Sequence, residues 1–152
     1  MLITSHLAVT LLVGKGLGLW GFEMVTALLM GVAIDLDHFL VNRKWVNDVK
    51  TFVFTFKSTH GEVKQHSWIQ EPLFGLSAGV ILGILLSFFV PSVRWWIFPA
   101  FQALHITMDG FMNYEHQPFA PVSRWKYWGV LRSNTPTEWF VSLTFLFVVI
   151  LI

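Results

Sequence analysis

The chain alternates long apolar runs with polar breaks, and five of the runs approach the length of a membrane-crossing helix. About 20 apolar residues are needed to cover a hydrocarbon layer roughly 30 Å thick. Leu73 to Val90 is the cleanest run: uncharged, about 27 Å long as a helix and closed by Pro91. Trp95 to Met112 opens on two tryptophans of interfacial type and carries His105 and Asp109 near its end. Phe22 to Leu40 is largely apolar as far as Ile34 and then carries Asp35, Asp37 and His38. Met1 to Leu19 reads as an uncleaved first helix, because MLITSH brings no basic charge of the kind that opens a secretory signal, while Gly14, Gly16 and Gly18 weaken its far end. Trp139 to Ile152 is intensely apolar but reaches only about 21 Å, so a last crossing needs a thinned bilayer, residues borrowed from Thr137, or a longer chain.

The predicted fold is therefore all-α: a polytopic membrane helix bundle of about five spans, forming one domain over residues 1–152. Val41 to Gln65, between spans 2 and 3, reads as an interfacial or partly helical excursion, and Asn113 to Pro136 as an irregular loop. Gly75, Gly79 and Gly83 form a small-residue stripe that predicts close helix packing on the third span.

Composition agrees with this pattern. Charged residues make up 12% of the 152, about half the usual share of a soluble domain, beside 15 Phe and 8 Trp. The net charge of +1 and the lack of a concentrated basic tract give no footing for nucleic acid. The absence of cysteine removes disulfides, thiolate metal sites and a Cys nucleophile, so any metal must be held by His, Asp and Glu.

Helices joined in series alternate direction, so a residue's place within its helix fixes the side it faces. His6 starts the first helix, Asp35, Asp37 and His38 end the second, His66 starts the third, and His105 and Asp109 end the fourth. All seven are predicted on one side. Lys or Arg at 43, 44, 50, 57, 64, 124, 126 and 132 share that side, against Lys15 and Arg94 on the other, which makes it cytoplasmic together with the N-terminus. Ionisable groups at membrane depth are costly and mark functional clusters. Residues three or four apart share a helix face, so His105 pairs with Asp109 and Asp35 with His38. With His6 and His66 in reach, this nitrogen and oxygen set suits one or two divalent ions, Zn²⁺ first and Mn²⁺ second.

The order His6, then AIDLDHF, then QHS, then HITMD resembles the membrane-bound metal-dependent hydrolases of the LexA-regulated inner-membrane type, a family similar to the zinc-dependent phospholipases C and single-strand nucleases. Ile34 stands where that family has Pro, and GEVKQHS where it has a His-Arg-Gly-x-Thr-His-Ser block; His60 is one residue out of register for the first His of that block. The resemblance implies a hydrolase. It implies a metal held by His6, Asp35, His38, His66, His105 and Asp109, supplying Lewis acidity and a water of lowered pKa. Asp37 is a ligand or orients a ligating histidine, and Asp37 or Asp109 is the candidate general base. A site at headgroup depth favours a phosphoester of a lipid or lipid-linked group, so the expected partners are membrane lipids. His60, His116 and Glu115 read as loop residues before they read as ligands. The competing accounts are a small ion or proton transporter and a non-catalytic protein whose metal is structural; crowding of the polar residues at one face disfavours the transporter.

Overall fold

The computed structural model describes residues 3–36, 68–113, 115–132 and 135–151. Among these the chain is mostly helical, with α1 (Ile3–Gly16), α2 (Gly21–Gly31), α3 (Pro72–Phe89), α4 (Ile97–Gly110) and α5 (Pro136–Leu151). Short 3₁₀ turns at Ala33–Leu36 and Trp68–Gln70 flank the undescribed segment 37–67, and β1 (Glu115–His116) pairs antiparallel with β2 (Tyr127–Trp128).

Each helix ends for a local reason. At the end of α1 the Leu19 amide bonds the Gly14 carbonyl and the Gly18 amide bonds that of Lys15, with Gly18 in the left-handed region at φ 66°. This is the paired-bond stop of a Schellman motif, and it buries Leu19 back against Gly14. Helix α2 stops well before the expected Leu40. In a continuing α-helix the Asp35 amide would bond the Gly31 carbonyl; it bonds Val32 instead, at 3.2 Å, and the chain tightens into a 3₁₀ turn. Pro72 opens α3 at the position where a missing N–H costs least.

The helices pack in the order α3, α4, α2, α1, α5, with α1 also touching α4. Helix α3 buries only Gly75, Gly79 and Gly83, which bears out close packing along that stripe. A Cβ on Gly79 would meet Gln102 Oε1, and one on Gly83 the Trp95 carbonyl. Helix α4 buries Ile97, Phe101, Gln102, His105, Ile106 and Asp109 on one face. Its first half joins Leu19 and Ala27 in an apolar core. Its second half continues the same stripe with polar groups.

The expectation of five full-length spans is not met among the described residues. Only Pro72–Phe89 is long and apolar enough to cross a membrane, Pro136–Leu151 being apolar but shorter. The Gly18 stop and the 3₁₀ turn after Gly31 shorten α1 and α2, and Trp95 and Trp96 lie in a turn before α4 rather than in its first turn. The alternation of helix direction does hold. His6, Asp35 and Asp109 lie at one end, with Ser5 bonded to Glu138 at the start of α5. At the other end Arg94 forks onto both Glu23 oxygens, at 2.7 and 2.9 Å, and Lys15 donates to the Val149 carbonyl.

Overpacking the α3–α4 seam is predicted to destabilise the protein. Gly83→Ala should cost about 1–3 kcal/mol in denaturant or thermal melts in detergent, because the group it meets is backbone and cannot rotate aside. Gly16→Ala, with open space around it, should be neutral or slightly stabilising in the same assay.

Candidate metal centre

Four of the expected ligands meet. His6 from α1, Asp35 from the 3₁₀ turn after α2, and His105 and Asp109 from α4 each offer one ligand atom within 4.8 Å of the others. All four are buried, the two histidines completely. His6 Nε2 lies 3.0 Å from Asp109 Oδ1 and 3.8 Å from Asp35 Oδ2, while His105 Nε2 lies 3.4 Å from both Asp35 Oδ1 and Asp109 Oδ2. A tetrahedral ion with bonds of about 2.0 Å has ligand-to-ligand edges of about 3.3 Å, so these separations bracket its size.

The imidazole of His105 is oriented by the break in α2. Its Nδ1–H donates to the Gly31 carbonyl at 3.1 Å, and that oxygen is accessible because the Asp35 amide bonds one residue further along. With Nδ1 committed, Nε2 faces two carboxylate oxygens without meeting hydrogen-bond geometry. Two carboxylate oxygens at that distance call for positive charge at Nε2, carried by a proton or by a bound cation. Metal-ligating histidines share this arrangement, one nitrogen on a carbonyl and the other on the ion.

Charge balance points the same way. Two ionised carboxylates in a buried site carry a charge of −2, and each uncompensated buried ion costs several kcal/mol. Two imidazolium rings would neutralise it, but His6 and His105 are stacked at 4.1 Å and 17°. Two positive charges at that separation repel by about 4 kcal/mol at an effective dielectric of about 20. One divalent cation balances both carboxylates and leaves both rings neutral. The donor set therefore fits a divalent metal; it does not select which one.

Other expected site residues fall elsewhere. Asp37, His38, His66 and His60 lie outside the described residues. Glu115 is not among the four: it pairs with Lys126 at 2.9 Å and accepts from the Gln117 amide group. His116 is buried rather than solvated, its ring stacked on Tyr127 at 4.8 Å and its Nε2 on the Met112 carbonyl. Glu71, at the N-cap of α3, makes no side-chain cap bond and accepts from the Gln117 backbone amide at 2.9 Å. Gln70, which no sequence signal marked, donates to Asp35 Oδ1 at 3.4 Å. The turn carrying it is held by Gln102, whose Nε2 donates to the Ile69 carbonyl.

Burial pushes the His116 imidazole below its ordinary value of 6.5 and the Tyr127 phenol above its own. Comparison with family models, with curated proteins and with solved structures found no match to this chain.

Two outcomes follow for solution work. Because His116 is held neutral in the fold, its contribution to stability should be present above about pH 6.5 and fall away as the pH drops below that value; a melting profile against pH, flattened in His116→Gln, checks the sign. Zinc at about 100 times its dissociation constant should stabilise the wild type by about 2.7 kcal/mol in thermal melts, and His105→Ala or Asp35→Ala should lose that increment.

Proposed function

We propose that the protein is a membrane-embedded, metal-dependent hydrolase whose metal is held by His6, Asp35, His105 and Asp109. The observation that carries the reading is the buried quartet: two carboxylates, two stacked imidazoles and His105 Nε2 directed at both acids.

The membrane part of the reading is supported by where the apolar side chains lie. Phe74, Ile81, Leu85, Phe88 and Phe89 on α3, and Phe140, Phe145, Phe147 and Ile150 on α5, are exposed, whereas the buried residues of these two helices are Gly75, Gly79, Gly83, Ser142 and Val149. That inversion suits a hydrocarbon surround. Close contact through small residues and polar side chains between helices is how helices associate in lipid, where apolar surface gains nothing by being hidden. In this account α3 crosses in full, and the shorter helices pack within a locally thin bilayer. Arg124, Lys126 and Arg132 lie beyond the metal end, which favours a multi-pass inner-membrane protein with that end cytoplasmic.

When bound, a divalent ion supplies Lewis acidity and lowers the pKa of a coordinated water. The chain's own contribution is to converge four donors, fix the His105 ring through Gly31 and keep bulk water out. Asp109 turns its oxygens toward both imidazoles, which suits a ligand, so the proton-transfer role is assigned to Asp37, two positions beyond Asp35. A substrate at headgroup depth would be a phosphoester of a lipid or lipid-linked molecule. One feature favours a second reading, a structural metal that staples α1, α2 and α4: four protein donors complete a tetrahedral shell, whereas catalytic zinc keeps a position open.

Metal-loaded protein in detergent is expected to hydrolyse model phosphomonoesters or phosphodiesters. Asp37→Asn should reduce turnover at least about 100-fold while retaining the metal, and His105→Ala should lose both. Stoichiometric metal without hydrolysis of any phosphoester would leave the staple. Wild type that takes up neither zinc nor manganese would overturn both.

A further inference from the structure

The segment 111–132, with residue 114 outside the described set, caps the metal end of the bundle. Its inner side is tied down at several points. The Leu73 amide bonds the Pro118 carbonyl, the Gln117 amide bonds Glu71, and the amides of Val130 and Leu131 bond the Phe111 carbonyl just past α4. Four rings run outward in sequence: His116 to Tyr127 at 4.8 Å, Tyr127 to Trp125 at 5.7 Å, and Trp125 to Phe119 at 5.9 Å.

The outer side is apolar. Val122 and Val130 are 82% and 80% exposed, and Trp125 and Trp128 are 56% and 58% exposed. Exposed valines and tryptophans gathered on one small cap mark a contact surface. Arg124 and Arg132 are exposed among them, and no carboxylate of the described residues lies within ion-pair distance of either, whereas Lys126 is taken by Glu115. Tryptophan beside exposed arginine is the composition of the membrane–water interface, the ring at headgroup level and the cation on lipid phosphate.

We propose that this cap lies in the anionic headgroup layer instead of projecting into water, with Val122 and Val130 inserted and Arg124 and Arg132 on lipid phosphates. The inference rests on the membrane reading above. It specifies where that reading operates: the capped metal end faces the lipid headgroups, the layer in which amphiphiles arrive laterally.

The lack of native cysteine makes the test direct. Single variants Val122→Cys, Val130→Cys and Ile81→Cys would be spin-labelled in nanodiscs of phosphatidylcholine alone or with phosphatidylglycerol. Relaxation by oxygen, which partitions into lipid, would be compared with relaxation by a water-soluble nickel chelate. Ile81, exposed on α3, is the control and should report deep burial in lipid. The cap labels should be more accessible to oxygen than to chelate. Adding Arg124→Glu and Arg132→Glu should shift them toward the chelate in phosphatidylglycerol discs and much less in phosphatidylcholine alone.

Cap labels as open to chelate as free label, with Ile81 deep, would overturn the cap proposal alone. An Ile81 label open to chelate would overturn the membrane reading as well. Cap labels shielded from both reagents, with spin–spin broadening between copies, would replace the lipid by a second copy of the chain and also overturn the proposal.

Discussion

Two buried carboxylates facing two stacked imidazoles form an arrangement that the fold cannot hold without positive charge. The rest of the structure follows from where that charge must sit. Three segments supply the four groups, and none of them forms the site alone: α4 contributes a His–Asp pair one turn apart, α1 brings His6 from across the helix seam, and the turn after α2 brings Asp35 to the Nε2 atoms of both rings. Ile97 and Phe101, which meet Leu19 and Ala27 in the apolar core, lie on the same buried stripe of α4 as His105 and Asp109, one half turned to packing and the other to ligation.

The end of α2 shows how a local backbone change produces chemistry. One amide, that of Asp35, bonds three residues back rather than four, and two consequences follow together. The Gly31 carbonyl becomes available to His105, fixing which of its nitrogens faces the site, and the Asp35 carboxylate is carried to that same nitrogen. Gly31 sits directly against Thr10, so α1 and α2 approach closely at the point where both give up a residue to the site.

Much of the centre was legible in the sequence because its chemistry is written in residue type and helix position. His6, Asp35, His105 and Asp109 are four of the seven residues that helix alternation and position within each helix bring to one side, and the H-x-x-x-D spacing sets the last pair on one face. Asp37, His38 and His66 fall outside the described residues. Helix length was the weaker reading. The apolar run continues past Gly31 through Val32, Ala33 and Ile34, yet the helix stops at Gly31, because a 3₁₀ turn and a tertiary hydrogen bond leave no mark on apolar content. Gln70 was missed for a similar reason, since a neutral amide in a short turn has no motif and acquires its role only when the turn is placed beside Asp35. His116 and Glu115 looked alike in sequence as loop polar residues, and the β1–β2 pairing separated them, one stacked on Tyr127 and the other paired with Lys126.

The central claim is that one divalent ion is bound by both imidazoles and both carboxylates. X-ray absorption at the zinc edge of zinc-loaded protein tests it most directly, since it reads the shell around the ion itself. About four light-atom neighbours at about 2.0 Å are expected, with the outer scattering of two imidazole rings. An all-oxygen shell without imidazole scattering, or wild-type protein that retains no zinc, would contradict it.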